Sequence, residues 1–334
     1  MIKISSVNLI MGSLIVLSVL SVALALTFGA APIHYQDLWQ CLSQQCPSKL
    51  ESLIVWQLRV PRIIIGYTAG MGLACAGALL QNTTRNPLAD PYLFGIVAGA
   101  GLGVTIASLL IGVLSYISLP LAAFLGALLA VVLVLMLTNI AQRVEHLLLG
   151  GVAISFMLSA ISQFFLYLGE PMASNRVIFW LMGSLAHVEL SQSYLVMSVV
   201  VLVYVAIFAI HRQIDAFALG DEHAATLGIN IQRIKQTVFI LCAALTAVIV
   251  AYCGGIAFVG LMIPHMARFL FGSRTLRLTL ASGLLGGCFL VWVDVLARTA
   301  INGLEIPIGI ITSALGSIFF LTLLYRNQRT YHAD

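Results

Sequence analysis

Apolar residues in this chain come in long unbroken runs, separated by short clusters of charge, proline and glycine. In hydrocarbon a backbone N–H or C=O finds no water, so a run of roughly 20 apolar residues has to close its hydrogen bonds internally, as a helix. The breaks predict helices near 8–30, 61–82, 93–113, 117–139, 147–168, 191–210, 235–253, 256–270, 279–300 and 306–325. The fold class read from this is all-α, a polytopic membrane protein with about ten transmembrane helices. The eighth run is short and reads as partly re-entrant. The first follows Met1-Ile2-Lys3 and is long enough to span, so it reads as a retained helix and not as a cleaved leader. Residues 1–334 form a single transmembrane domain, interrupted most strongly by the hydrophilic segment 215–232.

Composition agrees with this reading. Hydrophobic residues make up 61% of the 334 and charged residues only 8%, against about 25% charged in soluble domains. A net charge of +4 that is spread along the chain gives no nucleic-acid footprint. The charges also orient the chain. With the N-terminus in the cytoplasm, eleven of the sixteen lysines and arginines fall inside: Lys3, Arg85, Arg143, Arg212, Arg233, Lys235, Arg268, Arg274, Arg277, Arg326 and Arg329. The other five, Lys49, Arg59, Arg62, Arg176 and Arg298, fall outside. The positive-inside rule therefore puts both termini in the cytoplasm. Cys41 and Cys46 then lie in an external polar loop, close enough in sequence for a short-loop disulfide if that space is oxidising. The other four cysteines sit in or beside apolar runs, as small hydrophobes.

Several chemistries are missing. The only lysines are Lys3, Lys49 and Lys235, and none follows a glycine, so there is no P-loop to hold ATP. His-Glu-x-x-His, Gly-x-Ser-x-Gly and paired intramembrane carboxylates are absent, which argues against a membrane enzyme. An ion-coupled carrier usually keeps ionisable groups at the midplane. Here the best candidate is Asp294, toward a helix end and one turn from Arg298. His34, His187 and His265 are far apart and read as structural groups, so no metal site is expected. In the fifth run Ser155, Ser159, Ser162 and Gln163 follow i, i+4, i+7, i+8 spacing and share one face. Such a stripe faces protein or water, either as a pathway lining or as interhelical packing. Gln81 and Asn82, at the inner end of the second helix, are a second candidate lining.

Leu219-Gly220-Asp221-Glu222-His223-Ala224-Ala225-Thr226-Leu227-Gly228-Ile229 resembles the coupling-helix motif of the FecCD/BtuC family. These are permease subunits of binding-protein-dependent ABC importers for siderophores, haem and cobalamin, with some relatives for molybdate or tungstate. Further stretches resemble the family in order: Trp56 to Arg62, Gly77 to Gln81, Arg85 to Pro91, Gly254 to His265, and Glu305 to Gly309. The resemblance implies a type II, BtuC-like permease fold that acts as a homodimer in the cell inner membrane. A metal chelate would pass from periplasm to cytoplasm between the two copies by alternating access. No cofactor is implied in this chain, since ATP and Mg would be bound by two cytoplasmic ATPase subunits. A periplasmic binding protein would deliver the substrate. The residues carried over for ATPase coupling are Leu219, Gly220, Asp221, Glu222, His223, Ala224, Ala225, Leu227 and Gly228, with Ala224, Ala225 and Leu227 as the apolar contact. Arg59, Arg62 and Arg298 match external arginines that meet carboxylates of the binding protein. Arg143, Val144 and Glu145 occupy the place of the cytoplasmic gate loop, with charge where relatives often carry small hydroxyl residues. Siderophore, haem, cobalamin and oxyanion remain open as substrates.

Overall fold

The computed structural model describes residues 4–29, 33–111, 118–137 and 144–331. Its helices are α1 (Ile4–Thr27), α2 (Tyr35–Leu42), α3 (Lys49–Leu53), α4 (Val60–Thr84), α5 (Ile96–Ile111), α6 (Ser118–Leu137), α7 (Val144–Leu168), α8 (Pro171–Leu181), α9 (Leu190–Ala216), α10 (Asp221–Thr226), α11 (Ile231–Cys253), α12 (Val259–Phe271), α13 (Thr275–Thr299) and α14 (Ile308–Tyr331). Among the described residues eight helical stretches are long and apolar enough to cross a membrane, and α5 and α12 are shorter apolar helices. Together they occupy the ten predicted runs. At about 1.5 Å per residue, the 13 residues of α12 reach about 20 Å, short of a hydrocarbon core of about 30 Å. The preceding Gly254–Phe258 is unwound, as a re-entrant segment requires.

Helix α4 is the hub, buried along most of its length and packed against α9, α11, α12 and α13. Glycines let the backbones meet. A Cβ on Gly70 would run into the Gly286 carbonyl of α13, and a Cβ on Gly77 into the Gly260 carbonyl of α12. Helix α5 packs against α6 and α7, while α11 touches both this group and α4. Helices α7 and α14 keep wide apolar faces uncovered, including Phe156, Phe164, Ile318 and Leu321.

Helix α3 runs without a break into α4 through a π-helical turn, Ile54–Arg59. Pro61 explains the turn. It has no N–H for the carbonyl four residues back, and its ring crowds that carbonyl; widening by one residue absorbs both problems. Above this turn Leu38, Cys41 and Val55 form a small core of their own. Cys41 and Cys46 are joined as a disulfide, with Cα atoms 4.1 Å apart.

Three short helices, α2, α3 and α8, were not anticipated. Hydropathy finds runs of about 20 apolar residues, and these are 8, 5 and 11 residues long, each carrying polar residues.

Candidate functional site

The structure has two polar ends. One, here the Arg62 end, gathers the C-termini of α1, α11 and α13 and the N-termini of α4, α9 and α14. Helix α1 stops at Thr27 and leaves its last carbonyls without intrahelical donors. Arg59, re-aimed inward by the π turn, donates from Nη1 to Leu26 O at 2.7 Å and to Thr27 O at 3.2 Å. Arg298 Nη2 reaches Ala25 O at 3.4 Å. Two arginines thus cap one helix, where positive charge also suits the dipole.

Arg62 ties three segments together. Its Nε donates to Asp294 Oδ1 at 2.7 Å, and its Nη1 and Nη2 to the two oxygens of Glu305 at 2.8 and 3.2 Å. Arg298 adds a contact of 3.4 Å to Asp294 Oδ2. The Asp294 side chain is 2% exposed and that of Arg62 12%. For Glu305, in the loop before α14, partial burial pulls the carboxyl pKa up. The Arg62 hydrogen bond and charge, with His187 and Arg298 nearby, outweigh this and leave it below its ordinary value.

The structure brings Arg59, Arg62 and Arg298, which the family resemblance assigns to binding-protein docking, together at one end of the molecule. All three guanidiniums are turned inward and bonded to groups of their own chain. Their placement at one end of the molecule was expected; their exposure was not found.

Beside this cluster lies a cavity of about 870 Å³, bounded by α5, α6, α8, the 183–192 connection, the end of α11 and residues 305–308. Backbone hydrogen bonds knit its edge: Ser184 N to Cys253 O at 2.9 Å and Ile308 N to Gly183 O at 3.1 Å.

At the opposite, Asp221 end, α9 leads through a 3₁₀ turn (Phe217–Leu219) to Gly220, whose φ of 101° suits glycine. Helix α10 follows, with Asp221 and Glu222 in its first turn as expected. Asp221 accepts from Arg85 Nη2 at 2.9 Å and from Lys235 Nζ at 2.7 Å. Ala224 is fully buried with Ala216 and Phe217, so it belongs to the packing of this segment and not to its contact surface. Ala225, Leu227, Glu222, His223 and Gly228 are exposed, Leu227 at 64%. The side chain of Leu219 lies outside the described residues. Arg85 and Lys235 were missed as partners of Asp221, because nothing local in sequence pairs residues 136 and 14 positions away.

Both candidate linings divide. Gln81 is buried, and its Nε2 donates to Gly260 O and Leu261 O, both at 3.3 Å. Asn82 donates to Ser273 O at 2.9 Å and to Thr275 Oγ1 at 3.1 Å, and accepts from Arg268 at 3.2 Å. These two residues bind α4 to α12 and α13. They are polar because a helix lying against unwound or terminal backbone has to supply donors and acceptors. On α7, Ser162 is buried, with its hydroxyl 2.8 Å from that of Thr105 on α5. Ser155 donates to Gly151 O one turn back at 2.7 Å. Ser162 therefore packs against α5, while Ser155 and Ser159 are half-buried and Gln163 is exposed. Arg143 lies outside the described residues, as do the side chains of Val144 and Glu145, which open α7. Among the described residues no three His, Cys, Asp or Glu side chains are grouped as a metal site would need.

One buried acid stands apart. Asp90 begins the 3₁₀ turn Pro91–Phe94 and accepts from Tyr92 N at 2.7 Å. Burial raises its carboxyl to about 6, against the lowering effect of that hydrogen bond. In the unfolded chain it titrates near 3.8. Above pH 6 the folded state therefore carries the full cost of an ionised buried group, and below 3.8 it carries none. Stability should rise as pH falls through this window, by on the order of 3 kcal/mol for this residue. Asp90→Asn keeps the turn's acceptor and should remove this part of the pH dependence. The check is the unfolding midpoint of both proteins in detergent across the window; parallel pH profiles would sink the assignment.

Comparison with known proteins agrees with this architecture. The FecCD transport family matches residues 15–326. The Fe(3+) dicitrate transport system permease FecD of Escherichia coli is 34% identical over 306 residues, covering 91% of this chain and 94% of that one. The vitamin B12 import system permease BtuC of Vibrio cholerae is 36% identical, covering 84% and 85%. The hemin transport system permease HmuU of Yersinia pestis is 31% identical, covering 96% of each. A solved structure, described as an inward-facing metal-chelate type ABC transporter, superposes with a TM-score of 0.85 at 27% identity, covering 96% of this chain and 99% of that one. With its ten apolar helices in the predicted order and relatives matched over most of their length, the chain belongs to the FecCD transport family of polytopic membrane permeases.

Proposed function

We propose that this permease is the membrane subunit of an ATP-driven importer that carries a metal chelate (ferric siderophore, haem or cobalamin) into the cytoplasm. It works as a homodimer in the inner membrane, with the Asp221 end in the cytoplasm and the Arg62 end in the periplasm. The observation that carries this is the 219–229 segment. It is held at one end of the bundle by Arg85 and Lys235, and it presents Ala225 and Leu227 outward. A small apolar knob on a braced helix is what a cytoplasmic ATPase needs in order to push. Three further features support the reading. Asp294, the sequence's best candidate for an ion-coupling carboxylate, is clamped between Arg62 and Arg298. The uncovered apolar faces of α7 and α14 offer room for a second copy. The described ends of α1 and α14 both lie at the Asp221 end, which fits cytoplasmic termini. A chelate suits a passage with few fixed charges, and the named relatives act on chelates of this kind; an oxyanion cargo is not favoured by any residue described.

The test is reconstitution with the cognate ATPase and binding protein. Wild type should show vanadate-sensitive ATP hydrolysis stimulated by the binding protein. Ala225→Asp combined with Leu227→Asp places two charges in a small apolar contact, each costing a few kcal/mol if buried. It should cut ATPase co-purification by about a hundredfold or more at unchanged permease level. Uptake that persists without any ATPase and collapses with the proton gradient would overturn the proposal.

A further inference from the structure

The cavity beside Arg62 has walls of one character and a rim of another. Val177, Trp180, Tyr252 and Ile306 give it an apolar, aromatic interior, and its volume of about 870 Å³ lies in the range of small-molecule sites, about 300–1,000 Å³. Among the described residues the only carboxylate lining it is Glu305, and each of its oxygens accepts from Arg62. That leaves Arg176 on α8, exposed at the rim and without an ion pair among the described residues. His187, also exposed, lines the same cavity near Glu305 and offers a ring N–H in either tautomer. The uncommitted charge at the rim is therefore positive. Phe179, 64% exposed, stands one turn from Arg176 on the same side of α8. Leu121 and Leu125 on α6 continue an uncovered apolar face away from the mouth.

We propose that this cavity binds an amphiphile with a single anionic head. The apolar body would lie against Val177, Trp180, Tyr252 and Ile306, and the head against Arg176 and His187. The apolar face of α6 gives a membrane lipid a route in, and the exposed rim gives a water-borne fatty acid another; the chemistry of recognition is the same for both. The site is independent of which chelate is carried and of the direction of transport.

Trp180 in the wall is a built-in reporter, isolated by subtracting the emission of Trp180→Phe from that of wild type. The permease is placed in phosphatidylcholine proteoliposomes containing brominated-acyl phosphatidylglycerol or, at equal mole fraction, brominated-acyl phosphatidylcholine. A charge-assisted contact at the head predicts about a tenfold preference for the anionic lipid in quenching of Trp180. Arg176→Gln with His187→Gln should erase that preference while leaving quenching by brominated phosphatidylcholine and the size-exclusion profile unchanged. A brominated fatty acid added from water separates the sources. Quenching by the lipid assigns the occupant to the bilayer, and quenching by the fatty acid alone assigns it to the aqueous side; both support an anionic amphiphile. Equal quenching by the two lipids with none by the fatty acid, or a preference that survives in the double variant, would overturn the proposal. So would displacement by inorganic phosphate, which has no apolar body.

Discussion

Replacing Arg62 with alanine should unfold this permease at markedly milder conditions than wild type, even with no binding protein present. Asp294 would lose its shortest partner while 2% exposed, and Glu305 would release the loop before α14. Removing one member of a buried ion pair typically costs about 3–5 kcal/mol, because the remaining charge stays desolvated. Arg62→Lys should recover only part of this, since an ammonium cannot present a planar fork to one carboxylate while its Nε holds another. Arg62→Ala combined with Asp294→Asn should cost less than the sum of the two single changes, because they share one network. The measurement is the denaturation midpoint in mild detergent, with exposed Lys49→Ala as control. A shift no larger than the control's would mean that the cluster is not structural.

A second large effect is expected at Gly70. Its missing side chain lets α4 and α13 touch backbone to backbone, and a Cβ there would meet the Gly286 carbonyl and the Leu290 side chain. Carbonyls in a helix cannot swing aside as a flexible side chain can, so Gly70→Leu forces the helices apart. Membrane helices associate largely through such close packing, and this pair lies at the hub. Overpacking alone costs about 1–3 kcal/mol and more where nothing yields. The expected outcome is loss of the monodisperse solubilised protein on size exclusion, with Gly12→Leu unaffected because nothing lies within 4 Å of its Cβ position. Equal yields of the two variants would show that α4 and α13 do not meet as described.

Much of this architecture is legible in the chain because each span has to satisfy its own backbone, so span length and composition announce it. Partners are another matter. Arg62 meets residues 232 and 243 positions away, and Arg268 meets Asn82 across 186; no local pattern encodes such pairings. The polar residues Gln81, Asn82 and Ser162 could be read as needing protein or water, and the choice between the two depends on which helix lies opposite. Gly77 was a usable signal, since a glycine one turn before a buried glutamine marks close backbone approach. Pro61 reads as the start of the second helix, where the structure carries helix through it from Lys49 by way of the π turn that buries Arg59. The disulfide was left open by spacing alone and is formed here. The coupling segment was the most readable, because glycine, acid and small residues each have a local reason to stand where they do; only Ala224 needed the tertiary structure to place it inside.

The double bridge at Asp221 has a mechanical meaning. Arg85 sits just past the end of α4, and Lys235 lies in the second turn of α11. A sideways load on Leu227 is therefore delivered to the hub helix and to the helix that joins the two packed groups at the same moment. Both links are ionic, and Asp221 is 37% exposed, so each is worth at most about 1 kcal/mol. Small displacements of α10 drag both helices; a large one breaks the links before either helix bends. Under the proposed function, such a joint would pass on a stroke of limited force.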